Sequence, residues 1–160
     1  MPMELISVDF VQLEKGSGGI NFILVIVDHF TKYAQAYPSR NKSTTTASKH
    51  LYNDFVLRFG FPGRIMSDQG GEFQSKLIGQ LHDLAVMESS RMTAYHPQCN
   101  GICERMNRTL LQMLRSLPEH QKSNWPSAVN KMTHVFNCTR HSTTVFRHST
   151  CCLAENPSCQ

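Results

Sequence analysis

Apolar and polar positions alternate between two rhythms along this chain. Residues 4–14 contain Leu5-Ile6-Ser7-Val8-Asp9-Phe10-Val11, a β-like run, and Gly16-Ser17-Gly18-Gly19 is a turn. Ile20 to Val27 is almost continuously apolar, the pattern of a central strand buried on both faces. Asp28-His29-Phe30 turns the chain, and Lys32 to Tyr37 alternates, so the first three strands form a meander. The period then changes. Ser43-Thr44-Thr45-Thr46 is a helix-start signal, with Ala47, Leu51, Phe55 and either Val56 or Phe59 facing inward as far as Gly60-Phe61-Pro62-Gly63.

A fourth strand is predicted at 64–67. A second helix is predicted from about Glu72 to Ala85, with Phe73, Leu77, Leu81 and Leu84 at helical spacing. Val86 to Thr93 holds a short fifth strand. Pro97 and Asn100-Gly101 keep the next stretch out of helix. Then Ile102, Met106, Leu110, Met113, Leu114 and Leu117 mark a helix closed by Pro118, and a last helix spans about Trp125 to Cys138. Trp125-Pro126 reads as a helix-start anchor in the core rather than a base-stacking platform. The order of elements predicts an α/β fold: a mixed central sheet of about five strands flanked by helices.

A chain of 160 residues suits one domain with a sizeable core. Its net charge of +4 permits nucleic acid as a partner without demonstrating it. With no long apolar run and no signal-like N-terminus, the chain is expected to be soluble and intracellular, with no membrane partner. The six cysteines form no CxxC pair. Zinc binding by Cys99 and Cys103 with His96 lacks ligand spacing, and a disulfide framework is out of place, so small semi-buried thiols are expected.

Three carboxylates sit at or near element ends. Asp9 interrupts a β-like run. Asp68 ends Arg64-Ile65-Met66-Ser67-Asp68 just before Gln69-Gly70-Gly71, where glycine lets backbone approach a cleft. Glu104 falls in the first turn of the helix after the Pro97 loop, flanked by Arg105, Asn107 and Arg108 off the apolar stripe. Thirty-five residues separate Asp68 from Glu104. Asp28 is the competing acid, but at a turn its expected work is to cap backbone groups.

Asp9, Asp68 and Glu104 match the D, D-35-E triad of integrases. The words "VDHFTKYAQAYP", "FGFPGRIMSDQGGEF", "YHPQCNGICERMNRTL" and "NCTRHSTT" resemble those of Ty3/gypsy-type elements and related vertebrate genes, over roughly residues 3 to 144. The resemblance implies a ribonuclease-H-like fold in which the first and fourth strands adjoin. It implies a polynucleotidyl transferase for DNA 3′-end processing and strand transfer, acting in the nucleus and using two Mg²⁺ or Mn²⁺ ions. Asp9 would bridge both ions, and Asp68 and Glu104 would each hold one. Gln98, Asn100 and Gly101 would contact DNA ends. Arg105 and Arg108 would meet phosphates or simply form a solvated helix face. His96 would touch DNA or cap its loop. Homo-oligomerisation through the core is compatible with the family.

Cys99 stands where relatives usually carry glycine, which stiffens a loop that has to flex. The resemblance leaves no residues for the N-terminal zinc-binding or C-terminal DNA-binding domain of integrases, so complete integration by this chain alone is not expected. After Thr144 the family pattern stops. Read one base out of frame, codons for Phe146 to Glu155 can spell Ser/Pro-Pro-Phe-Tyr-Leu-Leu-Phe-Gly-Arg, close to the word with which relatives continue. Residues 1–144 are therefore expected to form an integrase catalytic core, and 145–160 an aberrant, frame-shifted tail; a divergent natural tail is the alternative. The rival to the enzyme is a catalytically idle retroelement relic, or a host-recruited module that binds nucleic acid or dimerises. A ribonuclease-H-type nuclease would keep the metals and change the substrate, but the words around Glu104 argue against it.

Overall fold

A computed structural model describes residues 2–85, 101–138, 140–141 and 144–147. The predicted fifth strand at 86–93 lies outside those residues. Four strands form one sheet in the order β3-β2-β1-β4: β1 (Leu5–Gln12), β2 (Phe22–Asp28), β3 (Ala34–Ser39) and β4 (Arg64–Met66). β1–β2 and β2–β3 are antiparallel, which is the expected meander, and β1–β4 is parallel. The sheet is thus mixed, and the first and fourth strands adjoin.

Helices cover both faces. Alternation along each strand decides which side chain meets which layer. Ile6, Val8 and Phe10 of β1, with Leu24 and Ile26 of β2, face Ala47, Leu51, Phe55, Leu77 and Leu81. Those partners come from α1 (Thr44–His50), a π-helical segment (Leu51–Val56) that runs on into α2 (Leu57–Phe59), and α3 (Gly71–Ala85). Ser43 caps α1, accepting from the Thr46 N–H at 3.2 Å. Val11, Ile23, Val25 and Val27 point the other way, against Met106, Leu110, Leu114, Trp125 and Val129. These belong to α4 (Gly101–Arg115) and, beyond the single turn α5 (Glu119–Lys122), to α6 (Trp125–Cys138). β2 is buried on both faces, as its unbroken apolar run requires.

Three expectations change. Leu84, near the C-terminal end of α3, is exposed. Leu111 packs in the core in place of Met113, since α4 offers the sheet a wider stripe than strict three-four spacing marks. Cys138 is exposed rather than semi-buried, one position past the buried Asn137 on α6. The 144/145 boundary falls inside β6 (Thr144–Arg147), which pairs antiparallel with β5 (Arg140–His141). Among the described residues no helix is long and apolar enough to cross a membrane.

Asp28 does the structural work expected of it. It is fully buried and accepts from the Thr31 N–H (2.7 Å), the Thr31 hydroxyl (2.6 Å) and the Met3 N–H (2.9 Å). Trp125 is a core anchor, 6% exposed, and its indole N–H donates to the Glu14 carbonyl at 3.1 Å. Gly16 lies flat against that indole. A Cβ there would stand 2.5 Å from Trp125 Nε1 and 2.9 Å from Cε2. Gly16→Ala is expected to destabilise by about 1–3 kcal/mol, the usual effect of overpacking. At roughly 2–4 °C per kcal/mol for a chain of this size, thermal denaturation should show a fall of several degrees. An unchanged melting temperature would mean that the Trp125 contact is not close.

Candidate active site

The register of the sheet brings two distant carboxylates together. Leu5 pairs with Arg64, Ile6 with Ile65 and Ser7 with Met66. Continued two residues, the same parallel register sets Asp9 beside Asp68, beyond the end of β4. Asp9 alternates with Val8 and Phe10, so it emerges on the α4 side of the sheet while its neighbours fill the opposite layer. Gly70 follows Asp68 with φ +88°, a conformation that other residues adopt only under strain. Among the described residues a Cβ at Gly70 or Gly71 would meet nothing within 4 Å, so it is conformation that calls for glycine at Gly70.

α4 closes the other side. Glu104 lies in its first turn, as expected, and Asn107 one turn further along. An open cleft of about 240 Å³ is lined by Ser7, Asp9, Met66, Asp68, Glu104 and Asn107. The three carboxylates expected from sequence therefore share one cleft. They do not converge on one point: among the described residues, no group of three His, Cys, Asp or Glu could hold a metal ion. Glu104 turns along the helix toward Arg108, with Nη2 to Oε1 at 3.4 Å and both side chains 71% exposed. An exposed pair one helical turn apart is worth only about 0.3–0.5 kcal/mol. Little therefore opposes rotation of Glu104 toward the cleft.

Asp9 is the most perturbed group of the site. Its Oδ1 accepts from the Phe10 N–H at 2.7 Å and its Oδ2 from Asn107 Nδ2 at 2.8 Å. Burial nevertheless pushes its carboxyl up to about 6, with the hydrogen bond to Asp68 and the Asp68 charge adding to the rise; the Phe10 and Asn107 donors offset part of it. Asp68 is exposed and accepts from Gln69 Nε2 at 3.3 Å. The cleft thus sets two carboxyl groups side by side, with donors from the Phe10 N–H, Asn107 and Gln69. Each carboxylate oxygen keeps a second lone pair, and hard oxygen donors of this kind suit a small divalent cation. The donor chemistry of Asp9 and Asp68 suits such an ion, and Glu104 would have to turn away from Arg108 to join them.

Asn107, Gln69 and Ser7 are site residues that sequence reasoning passed over. Asn107 could have been found, since it follows Glu104 by three and so shares its helix side. Its Oδ1 is buried without a hydrogen-bond partner among the described residues. Gly101 begins α4, and Arg105 and Arg108 are exposed on that helix, Arg108 in the pair with Glu104. His96, Gln98 and Asn100 lie outside the described residues.

The integrase core domain family matches residues 1–116 of the chain. The chain is 35% identical over 138 residues to the Gag-Pol polyprotein of avian reticuloendotheliosis virus, covering 86% of this chain and 12% of that protein. It is 30% identical over 128 residues to the retrovirus-related Pol polyprotein from transposon 412 of Drosophila melanogaster, covering 80% and 10%. It is 33% identical over 110 residues to the Gag-Pol polyprotein of feline leukemia virus, covering 69% and 6%. The chain therefore spans only 6% to 12% of the length of these relatives.

Proposed function

The chain belongs to the integrase core domain family, whose matched region includes Asp9, Asp68 and Glu104, and from that premise we propose that it is a polynucleotidyl transferase core acting on DNA in integration. The fold is the ribonuclease-H-like α/β arrangement of that family, and integrase cores generally use divalent metal ions. The observation that carries the proposal is the register that sets Asp9 beside Asp68 under the first turn of α4.

Asp9 and Asp68 would hold the cation or cations, with Glu104 completing the set once it leaves Arg108. Two Mg²⁺ or Mn²⁺ ions would supply nucleophile activation and neutralisation of the charge that develops as one phosphodiester is exchanged for another. The chain's own contribution is orientation. The Phe10 N–H and the Asn107 amide fix the Asp9 carboxylate, and Gln69 steadies Asp68. Arg105 and Arg108, exposed on α4, would meet DNA phosphates, which position a duplex without reading its sequence. Gln98, Asn100 and Gly101 would meet DNA ends.

The outward turn of Glu104 favours a second function: a nucleic-acid-binding module without catalysis. One assay separates them. The chain is given Mn²⁺ and a branched DNA that mimics the integration product, and reversal of strand transfer is followed. Release of the rejoined target duplex supports the transferase; no reaction by folded protein that still binds the DNA leaves the binding module.

Asn107→Ala is expected to lower that activity by about 10–100-fold, as loss of a ligand-orienting partner does. DNA affinity should stay near that of the parent chain. Equal turnover by the parent and the variant would show that the Asn107 amide does not set the Asp9 carboxylate.

A further inference from the structure

Two polar side chains, Ser7 in the lining of the cleft and His29 bonded to it, have no task so far. Ser7 is 2% exposed, yet it is polar, on a strand whose opposite face is Ile6, Val8 and Phe10. It shares its face of β1 with Asp9 and lines the same cleft as Asp9 and Asp68. Its Oγ lies 2.5 Å from Nε2 of His29. His29 comes from the turn after β2 and is held at both ends: its N–H donates to the Leu5 carbonyl at 2.8 Å, and its carbonyl accepts from Lys32 Nζ. Burial and the Lys32 ammonium hold its imidazole below the usual histidine range, against the opposing charge of Asp28. A neutral imidazole has one bare nitrogen.

A serine hydroxyl has a single proton. In the tautomer that carries the ring proton on Nδ1, His29 takes the Ser7 proton at Nε2, and both lone pairs of Oγ stay free beside two carboxylates. A hydrated divalent cation presents only donors at its surface, the hydrogens of its waters. Acceptors are what the cleft must offer them.

Resting on the metal-binding function proposed above, we propose that Ser7, oriented by His29, is an outer-shell acceptor for the hydration water of a divalent cation held by Asp9 and Asp68. His29 is a positioning residue that acts through Ser7. Outer-shell partners of this kind set the orientation of the inner ligands and the affinity of the site.

The test is calorimetric titration of Mn²⁺ into the whole chain, for the parent, Ser7→Ala, Ser7→Thr, His29→Ala, the double Ser7→Ala/His29→Ala variant and Asp9→Asn, each checked for its metal-free far-ultraviolet spectrum. Ser7→Ala is expected to bind Mn²⁺ about 10-fold or more weakly, and Ser7→Thr, which keeps the hydroxyl, to recover most of the affinity. His29→Ala should weaken binding, and the double variant should bind no more weakly than Ser7→Ala alone, because His29 has no other route to the ion. If the alanine variant does not fold, Ser7→Cys, of similar size and a poor hydrogen-bonding group, takes its place. Parent-like affinity in Ser7→Ala, while Asp9→Asn loses binding, would overturn this inference and leave the proposed function standing. Fully additive losses in the double variant would overturn the role of His29. A parent chain that takes up no Mn²⁺ would overturn both the inference and the function.

Discussion

Glu104→Gln is expected to leave a folded protein that no longer reverses strand transfer. The side chain is 71% exposed and its contact is the surface pair with Arg108, so replacing the carboxylate by an amide removes little structure. The chemical loss is large for a different reason. In the proposed function Glu104 would be the third hard ligand of the cleft, and the amide would offer a neutral oxygen where a charge is needed beside Asp9 and Asp68. Loss of even an outer-shell partner lowers activity by about 10–100-fold, so loss of an inner ligand should lower it by at least roughly 100-fold. Thermal denaturation within a degree or so of the parent, together with loss of product in the branched-DNA assay, is the expected pair of results. A Glu104→Gln variant that reverses strand transfer as fast as the parent would take Glu104 out of the site.

Asp9→Asn is expected to stabilise the metal-free chain at neutral pH and to abolish its response to metal. The Asp9 carboxyl titrates near 6 in the folded chain against 3.8 for an ordinary aspartate. A raised carboxyl pKa means that the folded state holds the proton more tightly than the unfolded state does. Its stabilising contribution is therefore complete below about pH 4 and is lost as pH rises through about 6. The gross shift corresponds to about 3 kcal/mol at 1.36 kcal/mol per pH unit. Partial exposure of Asp9 screens it, so roughly 1–2 kcal/mol is the expected penalty at pH 7. Asparagine carries no charge and escapes that penalty while keeping an oxygen for the Phe10 N–H. The two chains should accordingly melt alike near pH 4 and diverge by several degrees by pH 7, with the variant higher. Mn²⁺ should reverse the order: at 100 times its dissociation constant it adds about 2.7 kcal/mol to the parent at pH 7 and nothing to Asp9→Asn. The same addition at pH 5, where Asp9 is largely protonated, should do much less. A parent chain whose metal-free stability rises between pH 4 and 7 relative to Asp9→Asn would contradict the burial of Asp9 beside Asp68.

Much of this fold was legible because local rules and tertiary packing agree. The unbroken apolar run of β2 needs two covered faces, and α-helices from both sides supply them. Ser43 announced α1 and Trp125 announced α6 because capping and anchoring act within a few residues. Asp9 stood out as an acid where a strand wants an apolar residue, which located a candidate site before any partner was known. What brings Asp68 to it is strand pairing across more than fifty residues, and nothing in either segment encodes that register. The resemblance to integrases supplied the adjacency that periodicity could not. Asn107 and Ser7 were missed for a related reason. Each is an ordinary polar residue until the fold sets it over or beside Asp9. The π-helical segment at Leu51–Val56 was also invisible, since apolar spacing in Ala47, Leu51 and Phe55 fits an unbroken α-helix equally well. Its register is settled by packing: the Asp54 carbonyl accepts from Gln35 Nε2 of β3 at 3.2 Å.

The most direct measurement is anomalous diffraction at the manganese edge from crystals of the chain soaked in Mn²⁺. Density bridging Asp9 and Asp68, with the Glu104 carboxylate swung away from Arg108 and toward it, is the expected result. Manganese bound elsewhere, or a cleft that stays empty at saturating Mn²⁺ with Glu104 still paired to Arg108, would contradict the claim that these three acids act together.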